Sequence, residues 1–241
     1  MKLGIITDIH NNVIALQAVL GRLQAAGCEQ IVCCGDIVGI GPFPEETVQC
    51  MMRIPHLVAV RGNHERYLLE GMSDCVPNEE GMGYEEMQQH RWELRQLSAA
   101  SMRFLEKLPY NACLTVEGRR IMVLHYAMDA RHRYINCVPR PDASTLPRIF
   151  SEIHKDVVLY GHDHTRCICQ AQGTLYANCG SLGCPAPDHN IARAGIMELT
   201  DGKLSFTPLE VPYPVEEVLA AIDRLQYPAA NEIKRIFFAV E

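Results

Sequence analysis

The 241-residue sequence lacks the features that mark a membrane or exported protein. No stretch approaches the roughly 18 to 20 consecutive apolar residues that a membrane-spanning helix needs. The opening MKLGIITD reaches an acidic residue too soon for the apolar region of a secretory signal. We therefore expect a cytoplasmic protein with no membrane partner.

The sequence also lacks any block of like charge, and its formal net charge is −7. Capture of long nucleic acid needs a basic surface, which this composition does not supply. Long nucleic acid is therefore not the expected partner. A local positive site is still compatible with the composition, because bound metal ions can create one.

No CxxC pair occurs among the eleven cysteines, which argues against a zinc ribbon. Cys167-x-Cys169 and Cys179-x4-Cys184 leave a metal site or a disulfide open, although reduced thiols are the default expectation. A metal or redox sensor built on cysteines is an alternative function. It would require accessible thiols with a low pKa.

Short apolar runs alternate with helical periods in the first quarter of the chain. Strands are predicted over 2–7, 30–34 and 57–60, with helices over about 13–26 and 44–53 between them. This β-α-β-α-β order is typical of a parallel, layered sheet. Residues 65–107 do not continue this alternation of strands and helices, and they are predicted as an inserted segment that is mostly helical from about 84 to 107.

The rest of the chain is predicted to be mainly β. The predicted elements are a hairpin over 111–117 and 120–125, a helix over 142–154, strands over 157–160, 167–171, 174–178, 192–199 and 203–209, and a C-terminal amphipathic helix at VEEVLAAIDRL. No internal repeat or linker interrupts the chain, so we expect a single domain over 1–241.

Side chains that can bind a metal follow five of the apolar runs. They are Asp8 and His10 after KLGIIT, Asp36 after IVCCG, Asn63 after LVAVRG, His125 after IMVL, and His162 and His164 after VVLYG. Ligands bind beyond the carboxyl ends of parallel strands, so these residues are expected to meet at one sheet edge. Each motif alone is weak, since each also fits a turn, a surface loop or a core histidine, but their joint recurrence is specific.

The spacing suggests how these residues would bind. Asp8 and His10 would face the same side of an extended backbone, as would His162 and His164. Carboxylate, imidazole and carbonyl ligands without thiolate suit Mn, Fe, Co, Ni or Zn. Two such ions about 3.5–4 Å apart clamp an in-line displacement at phosphorus and generate a hydroxide. With two carboxylates and that hydroxide the site keeps a charge of about +1, which favours a phosphate ester.

At these residues the chain resembles the calcineurin-like metallophosphoesterase superfamily. The matching motifs are Asp8-x-His10, Gly35-Asp36, Gly62-Asn63-His64, His125 and Gly161-His162-x-His164. GDIVGIGPFPEE and Asn178-x-Gly180-Ser181 look most like the small bacterial and archaeal phosphodiesterase-type branch. The resemblance implies an α/β fold, a four-layer α/β/β/α sandwich with a helical insert at about 65–107.

The resemblance also implies two divalent transition-metal ions, with Mn the first expectation and Fe, Ni, Co or Zn as others. One ion would be held by Asp8, His10, Asp36 and His164, and the other by Asp36, Asn63, His125 and His162. His64 would be the catalytic residue, which protonates the leaving group or stabilises the transition state. That role agrees with the chemistry, because a leaving alkoxide needs a proton from a nearby acid.

The sequence departs from the larger phosphatases of the superfamily, which carry Gly-Asp-x-x-Asp-Arg-Gly. Gly39 replaces the second Asp, which orients the catalytic His, and Ile40 replaces the Arg, which grips phosphate. The departure argues against a protein serine/threonine phosphatase. Asn11 follows His10 at a position where the family usually has Gly, and Asn tolerates the same positive φ. Tyr126 follows His125 at a second position where the family usually has Gly, and we expect it to crowd or line the pocket.

Two segments are candidates for substrate contacts. The loop after His125 offers Arg131, His132, Arg133 and Tyr134, although a solvated charged loop is the alternative. Five residues of the insert could form a lid over the site, although ordinary helix packing is the commoner role for such residues. They are Arg66, Tyr67, Tyr84, Arg91 and Trp92.

These observations predict a dinuclear metal-dependent phosphoesterase, in which a metal-bound hydroxide attacks in line. The substrate would be a phosphodiester, phosphoanhydride or phosphomonoester of a small molecule such as a nucleotide. The alternative is a non-catalytic scaffold or regulatory binding module on the same fold. Such a module is expected to lose part of the ligand set or the catalytic His, and this chain keeps both. The oligomeric state is not predicted.

Overall fold

Two mixed β-sheets flanked by helices form the fold in the computed structural model, which describes residues 1–72, 75–77, 82–131, 133–184, 188 and 190–239. In chain order the elements are β1 (Lys2–Ile6), α1 (Val13–Ala25), β2 (Gln30–Cys33), α2 (Pro44–Met52), β3 (Val58–Ala59), α3 (Asn63–Glu70), α4 (Tyr84–Leu94), α5 (Ala99–Glu106), β4 (Asn111–Val116), β5 (Arg119–Leu124), α6 (Leu146–Ile149), β6 (Val157–Leu159), β7 (Cys167–Ala171), β8 (Thr174–Asn178), β9 (Ile191–Thr200), β10 (Lys203–Pro212), α7 (Val215–Arg224) and α8 (Ala230–Phe237).

The first sheet has the strand order β10-β9-β1-β2-β3. Strands β1, β2 and β3 are parallel, as the β-α-β-α-β pattern predicted, and β9 and β10 add an antiparallel hairpin. Helix α1 buries Leu16, Val19 and Leu23 in the core on this side. The side chain of Asn12 caps it by accepting a hydrogen bond of 3.0 Å from the Ala15 N–H.

The second sheet has the order β4-β5-β6-β8-β7. Here β5, β6 and β8 are parallel, whereas the hairpins β4–β5 and β7–β8 are antiparallel. Apolar side chains of the two sheets share one core cluster, in which Ile5 and Val32 join Val123 and Leu159. The sheets therefore pack face to face, which confirms the predicted α/β/β/α sandwich.

The predicted helix over 142–154 is wrong, because only the single turn α6 forms there. The Asp142 carboxylate accepts hydrogen bonds from the backbone N–H groups of Ser144 and Thr145, at 2.8 and 3.0 Å. These local bonds stabilise a turn in place of a first helical turn. The buried Phe150 then ends α6 in a non-helical conformation.

The inserted segment contains three helices among its described residues, α3, α4 and α5. Helices α4 and α5 confirm the prediction for 84–107, whereas α3 was not predicted. Helix α8 was not predicted either. Among the described residues no helix combines the length and the apolarity that crossing a bilayer requires.

Candidate metal centre

The candidate ligands lie on loops that follow strands of both sheets. Those on β1, β2 and β3 belong to the first sheet, and those on β5 and β6 belong to the second. The expectation of a single sheet edge is therefore wrong: the ends of two facing sheets converge.

The expected extended backbone is also wrong for both His-containing pairs. Asp8, His10, Asp36, His162 and His164 all have left-handed φ angles, of 53°, 50°, 51°, 77° and 55°. Such conformations are costly for residues other than glycine and concentrate at functional sites. The tight loops bring the side chains together where alternation along a strand would not.

One group of ligand atoms gathers around Asp8, His10, Asp36 and His164. The Nε2 atoms of His10 and His164 lie 2.9 Å apart. Oδ1 of Asp8 lies 3.7 Å from His164 Nε2 and 3.9 Å from His10 Nε2. Oδ2 of Asp36 lies 3.8 Å from His10 Nε2. These four side chains are the set that the sequence predicted for one ion.

A second group gathers around Asp36, Asn63, His125 and His162. The His125 Nε2 atom lies 3.1 Å from Asp36 Oδ2 and 3.0 Å from Asn63 Oδ1. The same Asn63 oxygen lies 2.8 Å from His162 Nδ1. Asp36 therefore belongs to both groups, which is the arrangement that the family resemblance implies.

The hydrogen bonds behind two histidines orient their free nitrogens toward the centre. Nδ1 of His10 lies 3.1 Å from the Val38 carbonyl, and Nδ1 of His125 lies 2.8 Å from the Cys34 carbonyl. Because a carbonyl only accepts, each Nδ1 carries a hydrogen, and Nε2 is the nitrogen of each ring that faces the other candidate ligands. This donor set fits a divalent transition metal.

The two carboxylates of the centre are buried, yet their pKa values move in opposite directions. Burial raises the pKa of Asp8, and the neighbouring His164 only partly opposes it. Burial would also raise the pKa of Asp36, but His125 and His64 hold it well below its usual range. Asp36, the shared residue, is therefore the more readily ionised of the two carboxyl groups.

His64 lies beside the two groups and is almost fully buried. Its backbone N–H donates to Asp36 Oδ1 at 3.0 Å, and its Nε2 lies 4.0 Å from Asp36 Oδ2. The ring lies 4.9 Å from the ring of His10 and 5.0 Å from that of His90 on α4. Its Nδ1 has no hydrogen-bond partner among the described residues, so packing rather than a carboxylate holds this ring.

Gly39 explains why no carboxylate orients His64 from the usual position. A Cβ at residue 39 would lie 2.2 Å from His64 Nδ1, and Gly39 has a φ of 89°. Any side chain there would displace the His64 ring. The Gly39 backbone N–H instead donates to Oε1 of Glu93 on α4, at 2.6 Å.

Glu65 is a residue of the site that sequence reasoning missed. Its carboxylate is fully buried and accepts hydrogen bonds from the backbone N–H groups of Asp36, Ile37, Val38 and Gly62, at 2.6 to 3.0 Å. Burial and the nearby Asp36 raise its pKa to about 7. Glu65 thus ties the loop after β2 to the start of α3. No sequence signal distinguished it from an exposed helical Glu.

The predicted substrate-contact residues lie in different surroundings, and only one of those described packs against the candidate ligands. Arg133 pairs with Asp129, at 3.1 Å between Nη2 and Oδ2, and the exposed Arg131 donates its backbone N–H to the same Asp129. Tyr134 packs against the candidate centre: its ring stacks on His162 at 5.5 Å. His132 lies outside the described residues.

A cavity of about 500 Å³ opens onto the candidate ligands. Asp36, His64 and His162 line its floor, and Arg140 and Thr165 also line it. Neither Arg131 nor Arg133 is among its described lining residues. Arg140, which the sequence did not single out, is the guanidinium that faces this cavity.

The remaining sequence expectations concern individual residues near the site. Asn11 has a φ of 54°, which confirms that it takes the left-handed turn expected of it. Tyr126 is buried behind His162, with 5.2 Å between ring centroids. Trp92 packs against Tyr227 at 4.8 Å, so it has the helix-packing role.

The cysteines form no disulfide in the structure. Cys34, Cys179 and Cys184 are buried near the strand ends, and burial raises the pKa of Cys179 to about 12. Buried thiols of this kind are poor nucleophiles at neutral pH, which argues against a sensor built on them, whereas Cys75, Cys113 and Cys137 are exposed.

Known proteins resemble this chain over most of its length. The model of the calcineurin-like phosphoesterase superfamily domain matches residues 1–202. An uncharacterized protein of Methanocaldococcus jannaschii is 26% identical over 241 residues, which cover 94% of this chain and 93% of that protein.

Two solved structures share the fold along the whole chain. The metallophosphoesterase from Sphaerobacter thermophilus has a TM-score of 0.72 at 23% identity, and a hypothetical protein from Pyrococcus horikoshii has a TM-score of 0.84 at 17% identity. Each match covers 100% of this chain and 99% of the other. Since the superfamily model extends over most of the sequence, the chain belongs to the calcineurin-like phosphoesterase superfamily.

Proposed function

We propose that this protein is a dinuclear metal-dependent phosphoesterase. The observation that carries the proposal is the pair of ligand groups that share Asp36. In the described structure three clusters of His and Asp side chains have ligand atoms within 4.8 Å of one another, and Asp36 belongs to two of them. A structural role alone would not require so many titratable groups to be buried side by side.

Asp8, His10, Asp36 and His164 would hold one divalent cation, and Asp36, Asn63, His125 and His162 the other. When bound, the ions would supply a nucleophile at neutral pH and neutralise the phosphoryl oxygens. Manganese is the first candidate, with Fe, Ni, Co and Zn as others that suit the same donors.

His64 would provide the proton for the leaving oxygen. Its ring lines the cavity over the ligands, and its backbone bond to Asp36 keeps it beside them. It also lies close enough to His10 and Asp36 to form the third cluster. We assign it to proton transfer rather than to metal binding, because the other seven side chains already complete two sets of four.

The substrate would be a small phosphodiester, phosphoanhydride or phosphomonoester, such as a nucleotide. An anion is favoured locally by the two cations, although the protein carries a net charge of −7. The non-catalytic scaffold remains the alternative, but the complete ligand set and His64 favour the enzyme.

The test is hydrolysis of bis-p-nitrophenyl phosphate by protein supplied with Mn²⁺. Asp36→Asn should abolish metal loading at one or both positions, measured by elemental analysis. His64→Ala should keep the metal and slow turnover by roughly 10²–10⁴-fold, the usual contribution of a general acid. Absence of turnover with Mn, Ni, Co, Fe and Zn, in protein shown to bind them, would contradict the proposal.

A further inference from the structure

A second cavity, of about 430 Å³, lies on the other side of His64. Its walls come from the first turns of α4 in the insert and from the C-terminal helix α8. Tyr84 and Gln89 lie on the α4 side, and Ile233 and Phe237 lie on the α8 side. Both helices lie outside the sheets that carry the candidate ligands.

The second cavity meets the cavity over the ligands at one wall. Ile40, His64 and Phe237 line both. Phe237 also approaches the candidate centre, since its ring lies 6.2 Å from that of His164. A phosphoryl group bound over the ligands would therefore have His64 and the opening of the second cavity on the same side.

The lining of the second cavity is apolar and acidic. Ile233, Ile236 and Phe237 supply the apolar surface. Three carboxylates also line it, and no Lys or Arg is among the described lining residues: the carboxylates are Glu85, Glu86 and Glu232.

The negative charges of these carboxylates repel one another. Burial and the nearby Glu232 raise the pKa of Glu86, with His90 opposing the shift. Arg235 approaches Glu232 only to 4.0 Å, from an exposed position. A negatively charged group in this cavity would therefore meet net repulsion.

Building on the proposed phosphoesterase function, we propose that this cavity holds the leaving group of the substrate and that the leaving group is an apolar alcohol without negative charge. Hydrolysis adds a hydroxyl to phosphorus and breaks the bond from phosphorus to the leaving oxygen. His64 gives that oxygen its proton, so the alcohol departs neutral into an apolar site.

The assignment narrows the substrate class. A phosphoanhydride would deliver a phosphate as its leaving group, which would place an anion among three carboxylates. The other cavity is lined by Arg140 and Thr165 as well as by Asp163, so it offers one cationic side chain to a charged retained group. Esters of apolar alcohols are therefore favoured over polyphosphates.

The experiment compares two methyl aryl phosphodiesters whose leaving phenols have matched pKa values. The aryl group of one carries no charge, and the aryl group of the other carries a carboxylate. The Mn²⁺-supplied protein should favour the diester with the uncharged aryl group by about tenfold or more in kcat/KM, because the carboxylate of the other aryl group is repelled by the carboxylates of the cavity. Replacing two acids together, Glu86→Gln with Glu232→Gln, should reduce that ratio to below about threefold.

A binding measurement separates cavity occupancy from turnover. Gly83 lines the cavity, has an ordinary φ of −76°, and would bear a Cβ with no atom within 4 Å. Gly83→Leu should weaken calorimetric binding of phenylphosphonate more than that of methylphosphonate. The matched control is Gly21→Leu, at an exposed position on α1 with equally open space, which should change neither.

The outcomes are distinguishable. Equal kcat/KM for the two phosphodiesters, or a ratio that the double variant leaves unchanged, would overturn the cavity assignment while leaving the phosphoesterase intact. Failure of metal-bound protein to hydrolyse either substrate would overturn the phosphoesterase proposal and the leaving-group assignment with it.

Discussion

Oε1 of Glu93 accepts a 2.6 Å hydrogen bond from the backbone N–H of Gly39. The same oxygen accepts a second bond, of 2.5 Å, from the side-chain amide of Asn11. A fully buried carboxylate on the inserted helix α4 thereby joins the loop after β1 to the loop after β2. The insert is thus part of the support of the candidate site, because it holds the backbone against which His64 packs.

Removing that carboxylate should destabilise the protein. Glu93→Ala would leave two buried donors, on Gly39 and Asn11, without a partner. Each unsatisfied buried donor costs about 1–3 kcal/mol, so we expect a loss of about 2–6 kcal/mol in the free energy of unfolding. Urea denaturation measures it. The control is Glu85→Ala, on the same helix but exposed, and an equal loss in both variants would contradict the role of Glu93.

Gly39 should tolerate no side chain. Gly39→Ala would put a Cβ 2.2 Å from His64 Nδ1, so the ring must shift. We expect turnover of bis-p-nitrophenyl phosphate to fall at least tenfold, because proton transfer requires hydrogen-bond reach.

Gly118→Ala is the matched control for the backbone cost of this change. Gly118 also has a positive φ, of 78°, but a Cβ there would meet nothing within 4 Å. It should lose about 1–2 kcal/mol of stability and keep its activity. Gly39→Ala should lose a further ~1–3 kcal/mol from overpacking. Equal effects of the two variants on turnover would show that the contact with His64 is unimportant.

Metal ions should stabilise the fold. The candidate ligands Asp8, His10, Asp36 and His125 are buried against one another, so a cation bound to the folded state offsets their mutual desolvation. At a free Mn²⁺ concentration 100 times its Kd, one site should add about 2.7 kcal/mol.

Differential scanning fluorimetry with and without a chelator measures this stabilisation as a shift in Tm. Asp36→Asn should lose most of the shift, because Asp36 belongs to both ligand groups. A shift of the same size in that variant would contradict the shared role of Asp36.

Asp142 should titrate as a turn-stabilising carboxylate. Hydrogen bonds from Ser144 and Thr145 lower its pKa to about 2. Since this folded pKa lies below the unfolded value, the stabilisation is present above about pH 4 and is lost as the pH falls toward 2. Carboxyl NMR during acid titration checks the value. A midpoint near the ordinary value of 3.8 would show that these bonds do not form in solution.

The sequence alone predicted the parallel strands and the residues that follow them, since local patterns carry that information. Leu16, Val19 and Leu23 lie on one helical period whether or not α1 has a partner. The helix predicted over 142–154 failed for an equally local reason: the Asp142 side chain competed for the backbone donors that a helix needs.

The ligand residues were likewise recognisable from their order along the chain, but their contacts were not. Only the folded structure brings the ends of two sheets together so that Asp36 lies 3.1 Å from His125, 89 positions away. The left-handed loop that carries Asp8 and His10 is held by backbone hydrogen bonds from Asp8 and His10 to the loop after β2.

The primary sequence therefore determined which chemical groups are available and that they follow strands. The tertiary structure decided that Glu65 and Glu93 serve as buried acceptors for backbone donors far along the chain, and that α4 and α8 enclose a cavity beside His64. Burial and hydrogen bonding between distant segments depend on how the layers pack, which no local pattern encodes.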